Sequence, residues 1–197
     1  MKKIWFVRHG ESAANAGEAT RDHRTIPLSS LGEEQARAVS IIIPKPRLII
    51  TSPYLRARQT AAPLMRLYPD VPVETWDCVH EFVYLSPRTC TGTTSAQRRP
   101  RVIAYWRHLD PDYVDGDDAE SYKHLLQRIN NNLNDLDILF FVMSADVVNL
   151  AHPAFAHNQG NGSAVIGHIQ PVPDIFTSAV YWKRLIIQRI GNHQRDQ

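Results

Sequence analysis

Short apolar runs alternate with segments of helical periodicity along most of this chain, and the alternation predicts the order of its strands and helices. Residues 4–7 are apolar, have β-propensity and stop at Arg8, so they predict a buried strand. Residues 48–50 and 71–76 predict a second and a third strand in the same way. Residues 138–143 form the most apolar run of all, which predicts a strand at the centre of a sheet.

Helical signals follow the first two strands and precede the central one. Ser30 precedes Glu33 at capping-box spacing and predicts a helix over residues 30–40. Pro53 suits the first turn of a helix that ends near Leu67. A long amphipathic helix is predicted over residues 117–135, and two short helices over residues 12–17 and 102–107. Another helix is predicted beyond residue 143, after the central strand. Residues 163–169 and 177–187 predict two C-terminal elements.

Strands that alternate with helices predict an α/β fold, here a three-layer sandwich with a mostly parallel central sheet flanked by helices. The 197 residues fit one domain, and the sequence shows no repeat or linker, so residues 1–197 are expected to form a single domain. Residues 83–116 are irregular and rich in Arg, Pro, Thr and Ser. They are too long for a plain connection, which favours a substrate lid.

Composition narrows the classes of function. The formal net charge is +2, so a nucleic-acid binder, which concentrates basic charge on one face, is disfavoured. Only four apolar residues precede Arg8, too few for a secretory signal, and no run approaches the roughly 20 residues of a membrane span. Cys78 and Cys90 have neither metal-ligand spacing nor the number for a disulfide framework. The expected location is the cytoplasm, with neither nucleic acid nor membrane as a partner.

Polar residues follow the predicted strands at the points where the strands end. Because parallel strands bring their carboxyl ends to one edge of the sheet, these residues should meet there, where α/β proteins usually bind ligands. The segments are Arg8-His9-Gly10, Thr51-Ser52 with Arg56 just beyond, His80-Glu81 and Ser144-Ala145-Asp146. Arginine binds phosphate well because its planar fork of donors stays charged. The combination of arginine, histidine and glutamate therefore suits a phosphate ester.

Five blocks of residues, in order over about residues 2–150, resemble the signature of the histidine phosphatase superfamily, the phosphoglycerate-mutase-like proteins. A single Arg-His-Gly triplet would be weak evidence, whereas five blocks in sequence are specific. The blocks are Arg8-His9-Gly10-Glu11-Ser12 with Asn15, Pro27-Leu28-Ser29 with Gly32 and Gln35-Ala36, Thr51-Ser52-Pro53-Tyr54-Leu55-Arg56-Ala57-Arg58-Gln59-Thr60-Ala61, Glu81, and Asp118-Ala119-Glu120-Ser121-Tyr122.

The resemblance implies a phosphate-monoester hydrolase in which His9 attacks phosphorus and becomes a phosphohistidine. Arg8 and Arg56 would hold the phosphoryl oxygens, with Asn15 as a neutral donor. Glu81 would protonate the leaving oxygen and then activate water. The resemblance implies neither a metal nor another cofactor, and the expected partner is a phosphorylated small molecule or a phosphoprotein.

Basic residues within 83–116 are a second candidate group. They would form a lid that recognises a further anionic group of the substrate, or, with equal weight, an ordinary solvated basic loop. The candidates are Arg88, Arg98, Arg99 and Arg101.

The pattern breaks at Ala145, where the family has a second histidine, usually followed by glycine. Loss of one preorganised donor to the transition state typically costs about 10²–10³ in rate. Either the chain is a natural variant, a catalytically silent pseudophosphatase that binds a phosphorylated protein or metabolite, or Ala145 is an introduced truncation that slows turnover. The second is favoured because the rest of the site is intact. Asp146 would repel a phosphate dianion unless it faces away in a helical first turn.

Overall fold

The computed structural model describes residues 4–108, 110–133, 141–143 and 166–169. Strands and helices alternate over the first 75 residues; a short 3₁₀ turn at Asp77–Val79 and three helices then precede the last two described strands. The strands are β1 (Ile4–Arg8), β2 (Ile49–Thr51), β3 (Val73–Thr75), β4 (Phe141–Met143) and β5 (Ile166–Ile169). The helices are α1 (Ser30–Ile42), α2 (Leu55–Leu67), α3 (Pro87–Cys90), α4 (Ser95–Arg107) and α5 (Tyr122–Leu133).

The described strands form one sheet in the order β3-β2-β4-β1-β5. β4 lies between β1 and β2 and runs parallel to both, with Phe141 opposite Phe6 on one side and Ile50 on the other. β3 is parallel to β2, whereas β5 is antiparallel to β1. The mostly parallel sheet is therefore confirmed, and so is the central position predicted for the apolar run, as far as its described residues Phe141–Met143 go.

Two neighbouring residues of β2 show how the sheet is covered. Ile49 and Ile50 are both fully buried, and adjacent strand residues point to opposite faces. Ile49 packs in a cluster with Val39 of α1 and Leu64 of α2. Ile50 packs in a separate cluster that includes Leu125 of α5. Apolar clusters thus cover both faces of β2, which confirms the α/β class; a three-layer arrangement of the whole chain stays a prediction, as does the single domain.

The first helix begins at Ser30 as predicted, but its cap residue and the start of the second helix differ from the predictions. The N-cap of α1 is Ser29, whose hydroxyl accepts from the Gly32 N–H at 3.1 Å, so the capping-box assignment to Ser30 is wrong. The helix after β2 begins at Leu55 with Tyr54 as the extended N-cap residue. Pro53 therefore lies before the helix rather than in its first turn.

The stretch 83–116 is more ordered than its composition indicates. It contains α3 and the whole of α4, and α4 begins at Ser95, well before the predicted start at residue 102. Thr94 and Gln97 form a capping box there, which satisfies the first backbone donors and allows the helix to begin early. The lid role of this stretch stays a prediction.

Other boundaries also shift. Residues 12–17 form turns rather than a helix, and the helix predicted from residue 117 begins only at Tyr122. The third strand is confined to the exposed residues Val73–Thr75. The elements predicted after β4 and at 177–187 lie outside the described residues. Among the helices that the structure describes, none is long and apolar enough to cross a membrane.

Candidate active site

His9 directly follows β1 and is buried, with 6% of its surface exposed. The Gly10 N–H donates to Thr60 Oγ1 at 3.1 Å, and the Thr60 hydroxyl donates to the Arg56 carbonyl at 2.7 Å. A Cβ at Gly10 would lie 2.5 Å from the Gly32 carbonyl oxygen, so no larger residue fits. The turn that carries His9 is therefore held between α1 and α2.

Side chains of the sequence blocks satisfy the backbone around this turn. The Glu11 N–H donates to Gln35 Oε1 at 2.8 Å, and Ser29 Oγ donates to Glu11 Oε1 at 2.6 Å. The Leu28 N–H donates to Gln59 Oε1 at 2.8 Å. Sequence analysis placed these residues in the signature without giving them a role. They hold the segments that meet beside His9, because buried backbone groups need partners.

The ring of His9 is oriented by its own loop. Nδ1 lies 2.6 Å from the Gly10 carbonyl oxygen. A carbonyl oxygen only accepts, so Nδ1 carries a hydrogen and donates it. In the neutral ring the lone pair is then on Nε2, which lies 3.0 Å from Glu81 Oε1. The nitrogen that can act as a nucleophile is thus the one that faces Glu81.

Arg56 binds Glu81 through two nitrogen atoms of its guanidinium group. Nε donates to Oε1 at 2.5 Å, and Nη2 contacts Oε2. Nη1 donates to the His23 carbonyl at 2.6 Å, and the group lies 5.0 Å from the centre of the Tyr54 ring. Arg56 is almost fully buried, so its charge requires an anion beside it. Glu81 supplies that anion.

The charges around Glu81 decide its ionisation. Burial alone would raise its pKa, but the charge of Arg56 and the hydrogen bonds from His9 and Arg56 hold the pKa well below the usual range. Glu81 is therefore a carboxylate here. The close contact with His9 Nε2 then requires one proton between the two atoms, since otherwise two lone pairs would face each other. The carboxylate occupies the donors that a substrate anion would use.

Uncharged rings form one wall beside Arg56. Tyr54 stacks on His80, with ring centres 5.7 Å apart, and meets the edge of His23 at 5.4 Å. Burial lowers the pKa of His23 and of His80, where the charge of Arg128 adds to the effect. Burial also raises the pKa of Tyr54 to about 12. Sequence analysis missed this wall, although Tyr54 stands in the same block as Arg56.

The other predicted phosphate-binding residues are placed differently from Arg56. Arg8 is half-buried at the end of β1 and forms no hydrogen bond or ion pair with the described residues. Asn15 is exposed, and its amide oxygen accepts from the N–H and the hydroxyl of Ser12, at 3.1 and 2.8 Å. Ala145 lies outside the described residues, two positions after Met143, which pairs with Arg8.

The candidate lid arginines mostly serve local contacts. Arg101 pairs with Asp115 at 2.6 Å, and Arg98 donates to the Thr93 carbonyl at 2.5 Å. Arg88 makes a long, exposed contact of 3.9 Å with an aspartate, and Arg99 is half-buried on α4. Their action on a substrate stays a prediction. In the described part of the chain, no three His, Cys, Asp or Glu side chains lie together as a metal-binding group.

The sequence profile of the histidine phosphatase superfamily (branch 1) matches residues 4–139. A mycobacterial glucosyl-3-phosphoglycerate phosphatase, solved in complex with VO3, is 21% identical with a TM-score of 0.63, and the match covers 89% of this chain and 94% of that one. The α-ribazole phosphatase from Shigella flexneri is 20% identical with a TM-score of 0.62, over 76% of this chain and 77% of that one. These structures share the fold. No curated protein matches the sequence.

Replacement of Thr60 by valine tests the support beneath His9. Thr60→Val leaves the Gly10 N–H without its acceptor, and an unsatisfied buried donor costs about 1–3 kcal/mol in free energy of unfolding. Thr91→Val is the matched control, because the Thr91 hydroxyl also donates to a carbonyl four residues earlier but is exposed and accepts nothing. Urea unfolding should show a clear loss for Thr60→Val only; equal losses would contradict this role.

Replacement of Glu81 by glutamine tests the competition between Glu81 and an anion. Glu81→Gln removes the negative charge that pairs with Arg56. The donors of Arg56 and the Nε2 atom of His9 are then available to an anion. Orthophosphate should bind about tenfold more tightly, a gain of roughly 1.4 kcal/mol measured by calorimetry. Glu34→Gln, an exposed substitution on α1 with the same change in charge, should leave the affinity unchanged. Weaker binding to Glu81→Gln would show that the carboxylate does not compete.

Proposed function

The chain belongs to the histidine phosphatase superfamily, and on that premise we propose that it is a phosphate-monoester hydrolase that acts through a phosphohistidine on His9. The observation that carries this is the position of Glu81, whose carboxylate contacts both His9 Nε2 and the buried Arg56. It places a proton carrier within hydrogen-bond reach of both a nucleophile and a fixed positive charge. The named phosphatases among the structural relatives support the substrate class.

Substrate binding rearranges one proton. The phosphate dianion takes the donors of Arg56, with Arg8 and the amide of Asn15 as further donors, and displaces the Glu81 carboxylate. Loss of the Arg56 contact and the approach of a dianion both raise the pKa of Glu81. The proton that lay between His9 Nε2 and Glu81 then stays on Glu81. Nε2 is left with its lone pair, and Glu81 has become an acid.

The reaction proceeds in two steps. His9 Nε2 attacks phosphorus, the bond from phosphorus to the leaving oxygen breaks, and that oxygen takes the proton of Glu81. Water then attacks the phosphohistidine while Glu81 takes a proton from it. The phosphorus–nitrogen bond breaks, and its electron pair returns to Nε2. Arg56 stays charged throughout, which stabilises the phosphoryl oxygens in both transition states.

Ala145 sets the expected rate. Without the second family histidine, one donor to the equatorial oxygens is missing, and turnover is slow. The same observation favours the second candidate function, a catalytically silent protein that binds a phosphorylated metabolite or protein. In both cases the ligand is a phosphorylated small molecule or a phosphoprotein, encountered in the cytoplasm.

Phosphorylation of His9 separates the two candidates. A stoichiometric reaction with 2,4-dinitrophenyl phosphate should leave phosphate on His9, detected by mass spectrometry under alkaline conditions. His9→Asn should abolish the adduct, whereas His124→Asn, an exposed substitution on α5, should keep it. Phosphate on any other residue would overturn the mechanism, and its absence from every residue would favour the silent binder.

Restoration of the second histidine tests the role of position 145. Ala145→His should raise kcat for an aryl phosphate by about 10²–10³, because it returns one preorganised donor to the transition state. Ala145→Gln is the control, since its amide can donate but its length and direction differ from those of an imidazole. A rate unchanged by Ala145→His would argue against the missing donor as the cause of slow turnover.

A further inference from the structure

Glu81 stands on a segment that has little regular structure of its own. The 3₁₀ turn at Asp77–Val79 ends just before it, and the next helix begins at Pro87. A side chain on such a segment is only as well placed as the contacts that hold the neighbouring backbone. The residues that anchor 78–83 therefore decide where the Glu81 carboxylate stands.

The anchors lie on both sides of Glu81. Before it, Arg128 Nη1 donates to the carbonyl oxygens of Cys78 at 2.6 Å and His80 at 3.1 Å. After it, Glu120 Oε1 accepts from the Val83 N–H at 3.1 Å, and the Glu120 N–H donates to the Val83 carbonyl at 2.9 Å. Arg128 of α5 and Glu120, two residues before the helix, thus hold the backbone upstream and downstream of the carboxylate.

These two residues are themselves paired. Arg128 Nη2 donates to Glu120 Oε1 at 2.6 Å, and Nε donates to Oε2 at 3.2 Å. Their side chains are 11% and 10% exposed. Leu125 and Ile129 are almost fully buried and fix α5 to the core, so the helix that carries Arg128 is held in place. A planar guanidinium group is suited to bind a carboxylate and two carbonyls at once.

Helix capping does not account for Glu120. The residue that caps α5 is Ser121, whose hydroxyl accepts from the His124 N–H at 3.2 Å. The Glu120 carboxylate turns away from the helix start, toward Val83 and Arg128. A contribution to the free energy of unfolding does not explain the Glu120–Arg128 pair well either, because a buried ion pair is often no more stabilising than apolar residues of the same size.

We propose that Glu120 and Arg128 are positioning residues for Glu81, and that their ion pair holds the Glu81 carboxyl group within hydrogen-bond distance of the leaving oxygen. This rests on the proposed role of Glu81 as the proton donor. A general acid must lie within hydrogen-bond distance of the group that it protonates, and a displacement of about 1 Å can cost 10²-fold in rate. The pair acts through the backbone of residues 78–83 and does not touch the substrate.

The test uses two substrates that differ in their need for an acid. Phenyl phosphate has a basic leaving group that must be protonated, whereas 2,4-dinitrophenyl phosphate has a stable leaving anion. Arg128→Lys keeps the charge opposite Glu120 but loses the fork that reaches Cys78 and His80. Single-turnover rates for phenyl phosphate should fall about 10- to 100-fold, and those for dinitrophenyl phosphate by less than about threefold.

Three further proteins make the result specific. Glu120→Gln, which keeps an oxygen for Val83, should show the same split to a smaller degree and guards against failure of Arg128→Lys to fold. Lys123→Gln is the matched control, because it breaks an exposed ion pair of α5 with Asp112 and touches nothing in residues 78–83. It should change neither rate. In a Glu81→Gln background, Arg128→Lys should cause less than about a twofold further loss with phenyl phosphate.

Each contrary outcome has a distinct meaning. Equal losses with both substrates, or additive losses in the Glu81→Gln background, would overturn the positioning role and leave a structural one. No loss in any variant that folds, judged by its thermal unfolding midpoint, would overturn it too. Failure of the unchanged chain to release even dinitrophenolate would contradict the proposed hydrolase itself, and the positioning role would fall with it.

Discussion

The buried charge of Arg56 is the constraint on which the site depends. A guanidinium group with 3% of its surface exposed needs an anion, because an unpaired buried charge is strongly destabilising. Glu81 meets that need and contacts His9 at the same time. Under the proposed function, the same requirement favours a dianion as the ligand, because a dianion can replace the carboxylate while keeping Arg56 paired. The proposed affinity for phosphate and the proposed control of the acid would thus both follow from one ion pair.

Two separate supports hold the segments that carry His9 and Glu81. Thr60 on α2 fixes the Gly10 N–H and therefore the turn that carries His9. Arg128 on α5 fixes the carbonyls that precede Glu81. These helices belong to apolar clusters that contain Ile49 and Ile50 of β2, respectively, and so face opposite sides of the strand. The proposed nucleophile and the proposed acid are thus supported from opposite faces of β2, and they meet at the edge where the strands end.

Much of this arrangement could be predicted from the pattern of residues. A strand that stops at Arg8 and a mostly parallel sheet are enough to bring His9 and Arg56 to one edge, because parallel strands share a carboxyl end. The helix starts were less predictable. Ser29 rather than Ser30 caps α1, and the capping box at Thr94 begins α4 early, since several polar residues near each start could fill the same role.

The sequence by itself determined the family, the order of the strands β1 to β4 and of the helices α1, α2 and α5, and the residue types available for chemistry, because these follow from local periodicity and short motifs. Only the tertiary structure decided that Glu81 is an ionised partner of Arg56, and that Glu120 and Arg128 anchor the segment around it. Such contacts join residues that lie 25 to 50 positions apart. They depend on how helices pack on the two faces of the sheet, and no local pattern encodes that packing.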